Sequence, residues 1–133
     1  MAISDEVLVA FDRNPGAAGD PVNSFAKVFG FDPPPGYLEF MRRSNGGEGF
    51  VSKRYLMLWP VEELRQHNDG YEVARYAPGL FLFGSDGGGE AYAFDLREAT
   101  PTIVSVPFVG MSLREATHCG SDFDEFLQGL AKD

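Results

Sequence analysis

Residues 81–95 read FLFGSDGGGEAYAFD, in which two apolar runs enclose small and acidic residues with three consecutive glycines. A phosphate-binding loop would need a helix directly after the glycines, so that the helix N-terminus faces the anion. Here the chain continues as Glu90–Asp95, which is a strand by content, and no Gly-Lys-Ser/Thr follows. A calcium loop would need carboxylates at alternating positions, and Asp86 and Glu90 alone are too few. The sequence therefore predicts a β-hairpin with residues 87–89 in its turn, where glycine adopts positive φ angles at little cost.

Short runs of β-branched and aromatic residues predict further strands around this hairpin. Bounded by glycine, proline or polar residues, they cover positions 55–59, 80–83, 91–95 and 102–106. In the first run, alternation places Trp59 on one face with Tyr55 and Met57, and the opposite face is also apolar. We therefore expect a central strand, with Trp59 in the core rather than in a contact surface.

Helical periodicity precedes the strands. Apolar residues at positions 22, 25, 26 and 29 predict a helix with Asp20 as its cap and Gly30 as its stop. A second helix is predicted at 36–44, and the following Asn45, Gly46 and Gly47 end it, the first two as a left-handed stop. Residues 4–9 fit a short capped helix and a strand equally well.

Two more helices are predicted later in the chain. One covers 60–67, and the other begins at Ser121 as its cap and carries an apolar stripe on Phe123, Phe126, Leu127 and Leu130. Helices at both ends with strands between them are typical of an α+β fold rather than of alternating βαβ units. With 133 residues, no repeat and no long linker, the chain is expected to form one domain, 1–133.

The acidic balance of the chain restricts its partners. It has 20 Asp and Glu against 11 Lys and Arg, a formal net charge of −9, and its basic clusters are only two residues long. Nucleic-acid binding is disfavoured, because proteins that bind phosphates present a basic surface. A basic protein partner suits the charge, since complementary fields speed association, although an acidic surface also serves solubility alone.

The sequence indicates no cofactor, no metal site and no disulfide. Its one cysteine, Cys119, has no internal partner, and we find neither a signal peptide nor an apolar run of the ~20 residues that a membrane span needs. A cytoplasmic location is expected. His118 adjoins Cys119, which leaves a Cys–His nucleophile open beside the alternative of an inert, partly buried thiol. No catalytic residue is assigned, and we expect no enzyme activity.

Several short motifs are specific only in combination. Residues 35–40 read PGYLEF, 45–47 read NGG, 56–59 read LMLW, 90–95 read EAYAFD and 121–127 read SDFDEFL. In this order and spacing they resemble the SUKH superfamily, in its Smi/Knr-like branch, over about residues 20–131. Two features depart from that pattern: a triple proline at 33–35 replaces the usual Leu-Pro, and the segment before Asp20 has no counterpart.

This resemblance implies an α+β domain with a bent, mainly antiparallel sheet flanked by helices. Many bacterial members look like immunity proteins, which bind and neutralise a toxin domain, often a nuclease or deaminase. The fungal members resemble interaction scaffolds that regulate cell-wall synthesis, but this chain lacks their long disordered flanks. The resemblance therefore implies a non-catalytic bacterial immunity protein, with an intracellular regulatory scaffold as the alternative.

The hairpin supplies the candidate contacts for a basic toxin. Asp86, Glu90 and Asp95 are its acidic residues, and Tyr92 could add an aromatic anchor. A carboxylate that ends a strand often accepts backbone N–H groups of the next turn, so we rank Asp86 and Glu90 above Asp95. The remaining motif residues are assigned to the fold alone: Tyr37, Asn45, Gly46, Gly47, Trp59, Gly87, Gly88 and Gly89.

Overall fold

Every strand of the sheet pairs with the strand that precedes or follows it in the chain. The computed structural model describes residues 10–16 and 24–132. Within them, seven strands form one antiparallel sheet in the order of the sequence. They are β1 (Ala10–Arg13), β2 (Gly47–Val51), β3 (Arg54–Leu58), β4 (Leu80–Ser85), β5 (Glu90–Asp95), β6 (Thr102–Pro107) and β7 (Thr117–Gly120).

Five helices accompany the sheet in the described part of the chain. They are α1 (Phe25–Phe29), α2 (Tyr37–Arg43), α3 (Leu64–Gly70), α4 (Val73–Tyr76) and α5 (Phe123–Ala131), with 3-10 turns at Val61–Glu63 and Leu113–Glu115. One antiparallel sheet with separate helices is an α+β fold, as the sequence predicts. The predictions for residues 4–9 and for a cap at Asp20 lie outside the described residues.

Three of these strands and one helix were not predicted, because each is short or carries glycine. β1 and β7 have four residues each, and so does α4. β2 contains Gly47 and Gly49, and glycine has a low strand propensity. Pairing across the sheet forms β2 nevertheless: it matches β3 at five positions, from Gly47 opposite Leu58 to Val51 opposite Arg54.

Aromatic side chains join one face of the sheet to α2 and α5. The ring centroid of Tyr37 in α2 lies 4.9 Å from that of Phe94 in β5 and 5.7 Å from that of Phe83 in β4. Phe126 of α5 contacts Phe83 at 5.6 Å. All four rings are fully or almost fully buried, so this layer is the centre of the core.

Residues 81–95 form the predicted hairpin, with one irregularity. β4 and β5 pair from Leu80 opposite Asp95 to Ser85 opposite Ala91, and the register shifts between Leu82 and Gly84. The extra residue in β4 is Phe83, a β-bulge. This bulge places Phe83 on the aromatic side of the sheet, where it stacks on Phe94 at 4.4 Å.

The turn of the hairpin depends on one glycine and one carboxylate. Gly87 has a φ of 78°, whereas Gly88 and Gly89 lie outside the left-handed region, so only one of the three glycines meets the predicted requirement for positive φ. Oδ1 of Asp86 accepts from the backbone N–H of Gly88 at 2.8 Å and from that of Glu90 at 3.1 Å. Asp86 therefore holds the turn closed.

The stop of α2 differs from the prediction. The helix ends at Arg43, its C-cap Ser44 has an extended φ of −151°, and Gly46, with a φ of 83°, then directs the chain into β2. A Cβ atom on Gly46 would lie 2.4 Å from the carbonyl oxygen of Leu58. Asn45 is also structural, because its Oδ1 accepts from the N–H of Val61 at 2.9 Å. Gly46 thus allows the chain to pack closely against Leu58 and does not end the helix.

The cap of α5 is Asp122 and not Ser121. Oδ1 of Asp122 accepts from the N–H of Glu125 at 2.7 Å, and Oε1 of Glu125 accepts from the N–H of Ser121 at 3.2 Å. These reciprocal bonds form a capping box. The predicted apolar stripe is confirmed, since its four members are all buried: Phe123, Phe126, Leu127 and Leu130.

Candidate functional site

A cavity of about 340 Å³ lies between α5 and the side chains of β5, β6 and β7. Two of the predicted contact residues, Glu90 and Tyr92 of β5, line it together with His118 and Cys119 of β7. Phe126 of α5 packs against Tyr92, with ring centroids 4.9 Å apart. β6 pairs with both β5 and β7, so side chains of these two strands reach the same cavity. The sequence patterns did not predict this arrangement, because β7 has only four residues.

Glu90 stands at the junction of this cavity and the hairpin turn. Its side chain is half-buried and forms no ion pair or hydrogen bond with the described residues. Loss of solvation raises the pKa of the Glu90 carboxyl, and the negative charges of Asp86 and Glu115 raise it further. The surroundings therefore oppose the charged form of Glu90, and a cation brought to this position would stabilise it.

Among the residues that the structure describes, Arg54 is the arginine that lines the cavity, and its hydrogen bonds are directed away from Glu90. Nη1 of Arg54 donates to the carbonyl oxygen of Leu130 at 3.1 Å and also to that of Lys132. These carbonyls belong to the last turn and C-cap of α5, where positive charge complements the helix dipole. Arg54 thus secures α5 over the sheet and does not pair with Glu90.

Tyr92 provides an apolar wall with a polar tip. The residue is 6% exposed, and burial raises the pKa of its hydroxyl to about 12. The negative charge of Asp86 acts in the same direction. The phenol is therefore neutral at physiological pH, and its ring can pack against an incoming side chain while the hydroxyl remains a hydrogen-bond donor.

The surroundings of Cys119 differ from those of an activated nucleophile. The Cys119 thiol donates to the carbonyl oxygen of Thr117 at 3.5 Å, and no hydrogen bond joins it to His118 in the described structure. Burial raises the pKa of the thiol, although hydrogen bonds with Ser105 oppose this shift. Nucleophilic cysteines need the thiolate form and hence a lowered pKa. The inert thiol is the alternative that this geometry favours.

Asp95 lies at the opposite end of β5, and its role differs from the predicted contact. It is 8% exposed, and its two carboxylate oxygens accept from Arg97 Nε at 2.9 Å and Arg97 Nη2 at 2.8 Å. Oδ1 also accepts from the Arg97 backbone N–H at 3.0 Å. The hydrogen bonds from the Arg97 side chain lower the pKa of Asp95. This carboxylate ends a strand and stabilises the next turn, which is the alternative role considered for it in the sequence.

Two further motif residues lie inside the protein, where the sequence predicted them. Tyr37 has no exposed surface, and Trp59 is 8% exposed directly after β3. The Trp59 ring stacks on His67 with centroids 3.9 Å apart, and it lies nearly parallel to Tyr71 at 6.5 Å. Both residues therefore stabilise the fold, although the ring of Trp59 lies beside the ring of Tyr71, which is partly exposed.

Comparison with known protein families matches residues 16–129 to the SMI1 / KNR4 family (SUKH-1). The match spans most of the 133 residues and includes every strand except β1. The chain belongs to the SMI1 / KNR4 family. Comparison with curated proteins gives no match.

Membership of SUKH-1 accords with the local chemistry around Glu90. In residues 10–16 and 24–132, no cluster of three or more His, Cys, Asp and Glu side chains is arranged to hold a metal ion. Over the same residues, none of the helices is long and apolar enough to cross a membrane. The features that this SUKH-1 domain does present at the cavity are an unpaired carboxylate, an aromatic wall and a rigid turn. These groups suit recognition of a protein surface.

Proposed function

We propose that this chain is an immunity protein, a non-catalytic domain that binds and neutralises a basic toxin domain such as a nuclease or deaminase. Membership of SUKH-1 supports the proposal, because the family includes immunity proteins. The net charge of −9 fits a basic partner. We place the contact at the acidic turn, defined here as Asp86, the glycines 87–89 and Glu90.

The unpaired, half-buried carboxylate of Glu90 carries this proposal. An ion pair with lysine or arginine would offset the repulsion of the Glu90 carboxylate by Asp86 and Glu115. Asp86 keeps the turn rigid through its two backbone hydrogen bonds, and a rigid contact loses little entropy on binding. Tyr92 lies beside Glu90 in the cavity and supplies apolar contact area.

The test first asks whether a toxin domain is encoded beside the gene of this chain, and it then mixes that domain with the purified protein. We expect a complex and loss of toxin activity at equal concentrations. Reversal of charge in Asp86→Lys with Glu90→Lys should slow association strongly at low salt and less at high salt, because steering by exposed charges is screened.

A matched double variant, Glu39→Lys with Glu98→Lys, separates the local contact from the overall field. Both residues are exposed and lie away from the acidic turn. Each replacement of an acidic residue by lysine changes the net charge by +2, so both double variants have a net charge of −5 instead of −9. Equal slowing in the two would contradict the acidic turn as the contact. A complex without loss of toxin activity, or no complex at all, would favour the regulatory scaffold.

A further inference from the structure

Exposed apolar side chains of the described residues are concentrated at one place. Five large hydrophobic residues are markedly exposed, and three of them are Tyr71 (43%), Tyr76 (48%) and Val109 (91%). Tyr71 and Tyr76 line a groove of about 280 Å³ whose other walls are Phe108, Gly110 and Met111. Val109 lies between Phe108 and Gly110 in the chain but does not itself line the groove. We call the five lining residues the aromatic groove, and Val109 is their exposed neighbour in the chain.

The other two exposed hydrophobic residues lie elsewhere on the surface. Phe50 is 51% exposed, but its ring packs edge-on against Tyr55 with centroids 5.1 Å apart. Val28 lines a second groove of about 280 Å³ at the end of α1, where it is the only one of the five markedly exposed hydrophobic residues of the described chain. Scattered apolar residues are ordinary on a protein surface, whereas a group around a groove marks a contact site.

The walls of the aromatic groove are held in place from within. Tyr71 packs against Phe108 at 4.7 Å and lies nearly parallel to the buried Trp59, at an interplanar angle of 15°. Trp59 in turn stacks on His67. Side chains that are already ordered in the free protein lose little conformational entropy on binding, and tyrosine is enriched among the residues that dominate interface energies.

The aromatic groove adjoins the acidic turn. The backbone N–H of Phe108 donates to the carbonyl oxygen of Gly89 at 2.9 Å, and Pro107 pairs with Glu90 across β5 and β6. Phe108 of the aromatic groove and the unpaired carboxylate of Glu90 thus belong to neighbouring chain segments, which this backbone hydrogen bond and this residue pair hold together. The charge of the whole chain, −9, and the repulsion between Glu90 and Asp86 both favour a cationic neighbour there.

We infer that the aromatic groove binds a large apolar side chain from a basic segment of a protein partner, whose adjacent lysine or arginine pairs with the acidic turn. This inference rests on the proposed protein-binding function but does not require the partner to be a toxin. The same partner segment would then contact the aromatic groove beside Phe108 and the acidic turn beside Gly89. The apolar anchor sets the affinity, and the cation sets the orientation.

The test selects binders from a library of random twelve-residue peptides displayed on phage, with the intact chain immobilised. We expect the recovered sequences to combine a large apolar residue with lysine or arginine within about three positions. Synthetic peptides without tryptophan are then titrated into the protein. Trp59, the one tryptophan of the chain, reports binding because it lies against Tyr71.

Substitutions at the aromatic groove and away from it show where the peptide binds. Val109→Asp and Tyr76→Ala should each weaken binding at least about tenfold, which corresponds to ~1.4 kcal/mol. Because Val109 is almost fully exposed, its replacement leaves the fold intact, and an unchanged melting temperature verifies this. Phe50→Ser is the matched control, since Phe50 is as exposed as Tyr76 but lies outside the groove, and it should change the affinity less than about twofold. Raising sodium chloride from about 50 to about 500 mM should weaken binding.

Three results would overturn the inference: recovery of no peptide above background, recovered peptides without basic residues, or equal affinities for wild type, Val109→Asp and Phe50→Ser. None of them bears on toxin neutralisation, which is measured with the toxin and the acidic-turn variants. Conversely, a chain that selects these peptides through the aromatic groove but inhibits no toxin retains this inference and loses the proposed immunity function.

Discussion

The side-chain amide of Asn68 hydrogen-bonds to both backbone groups of Leu82. Oδ1 of Asn68 accepts from the Leu82 N–H at 2.8 Å, and Nδ2 donates to the Leu82 carbonyl oxygen at 3.0 Å. β3 pairs with β4 only at Met57–Ser85 and Leu58–Gly84, so the backbone of Leu82 lies beyond the end of that pairing. Asn68 therefore takes the place of a strand residue at the point where β3 leaves the sheet.

Replacing Asn68 by alanine should lower the free energy of unfolding by about 1–3 kcal/mol, because it leaves a donor and an acceptor of Leu82 unpaired. Urea denaturation measures this change. Gln66→Ala, at an exposed position of the same helix, is the control and should stay within about 0.5 kcal/mol of wild type. Equal losses in both variants would show that the hydrogen bonds between Asn68 and Leu82 do not account for the change, since alanine has the higher helix propensity at both positions.

Gly46 should not tolerate any larger residue. Its φ of 83° is unfavourable for an L side chain, and a Cβ atom would lie 2.4 Å from the Leu58 carbonyl oxygen. We expect Gly46→Ala to cost more than about 2 kcal/mol in thermal denaturation. Gly30→Ala has the same φ strain but no atom within 4 Å, and it should cost about 1 kcal/mol.

Gly89→Ala completes this series. Gly89 has neither a positive φ nor a neighbour within 4 Å of the added atom, so its replacement should leave stability almost unchanged. If Gly89→Ala were as destabilising as Gly46→Ala, the turn would depend on all three glycines.

Glu90→Gln should stabilise the free protein and weaken the complex. Because the pKa of Glu90 is raised in the folded state, the folded protein holds a proton that the unfolded chain has lost, and stability falls as the pH rises above about 4.5. At pH 7 the neutral glutamine removes this loss and should raise the melting temperature of the free protein. A lower melting temperature would mean that the carboxylate has a stabilising partner.

Asp95 should have the opposite pH dependence. Its pKa is lowered by Arg97, so the ion pair stabilises the fold above the unfolded pKa of about 3.8 and is lost as the pH falls through the lower folded value. Asp95→Asn should cost about 1–2 kcal/mol at pH 7. The difference from wild type should shrink as the pH falls below about 4. A difference that persists in acid would indicate a packing effect.

Cys119 should react slowly with thiol reagents near neutral pH. Burial raises its pKa, so little thiolate is present below about pH 9. We expect alkylation by iodoacetamide at pH 7.5 to be slower than that of free cysteine, and the rate to increase well above that pH. If Cys119 reacted faster than free cysteine and its thiol had a pKa below about 7, the hypothesis of a Cys–His nucleophile would be supported.

Periodic and strongly patterned segments were predictable from the sequence. The hairpin, α5 with its apolar stripe and the buried positions of Trp59 and Tyr37 follow from alternation or from the 3.6-residue period. The strands β1, β2 and β7 do not, because their formation depends on partners rather than on their own composition.

The candidate site was predictable only in part. Glu90 and Tyr92 come from a single strand, and alternation places them on one face. The aromatic groove combines Tyr71 with Phe108, which are 37 positions apart in the chain and carry no shared motif. The pairing of Asp95 with Arg97 was also not visible, since a carboxylate at a strand end is compatible with a partner contact and with a local turn.

The sheet order also determines when the cavity forms during folding. Neighbouring strands are joined by short connections for most of the sheet, so their hairpins close with little loss of chain entropy. α5 is different, because the N–H of Phe123 donates to the carbonyl oxygen of Pro35 at 2.9 Å, across most of the chain. Closing a contact over this separation costs more chain entropy than closing a hairpin. Since α5 supplies one wall of the cavity, we expect the surroundings of Glu90 to be complete only when α5 has docked on the sheet.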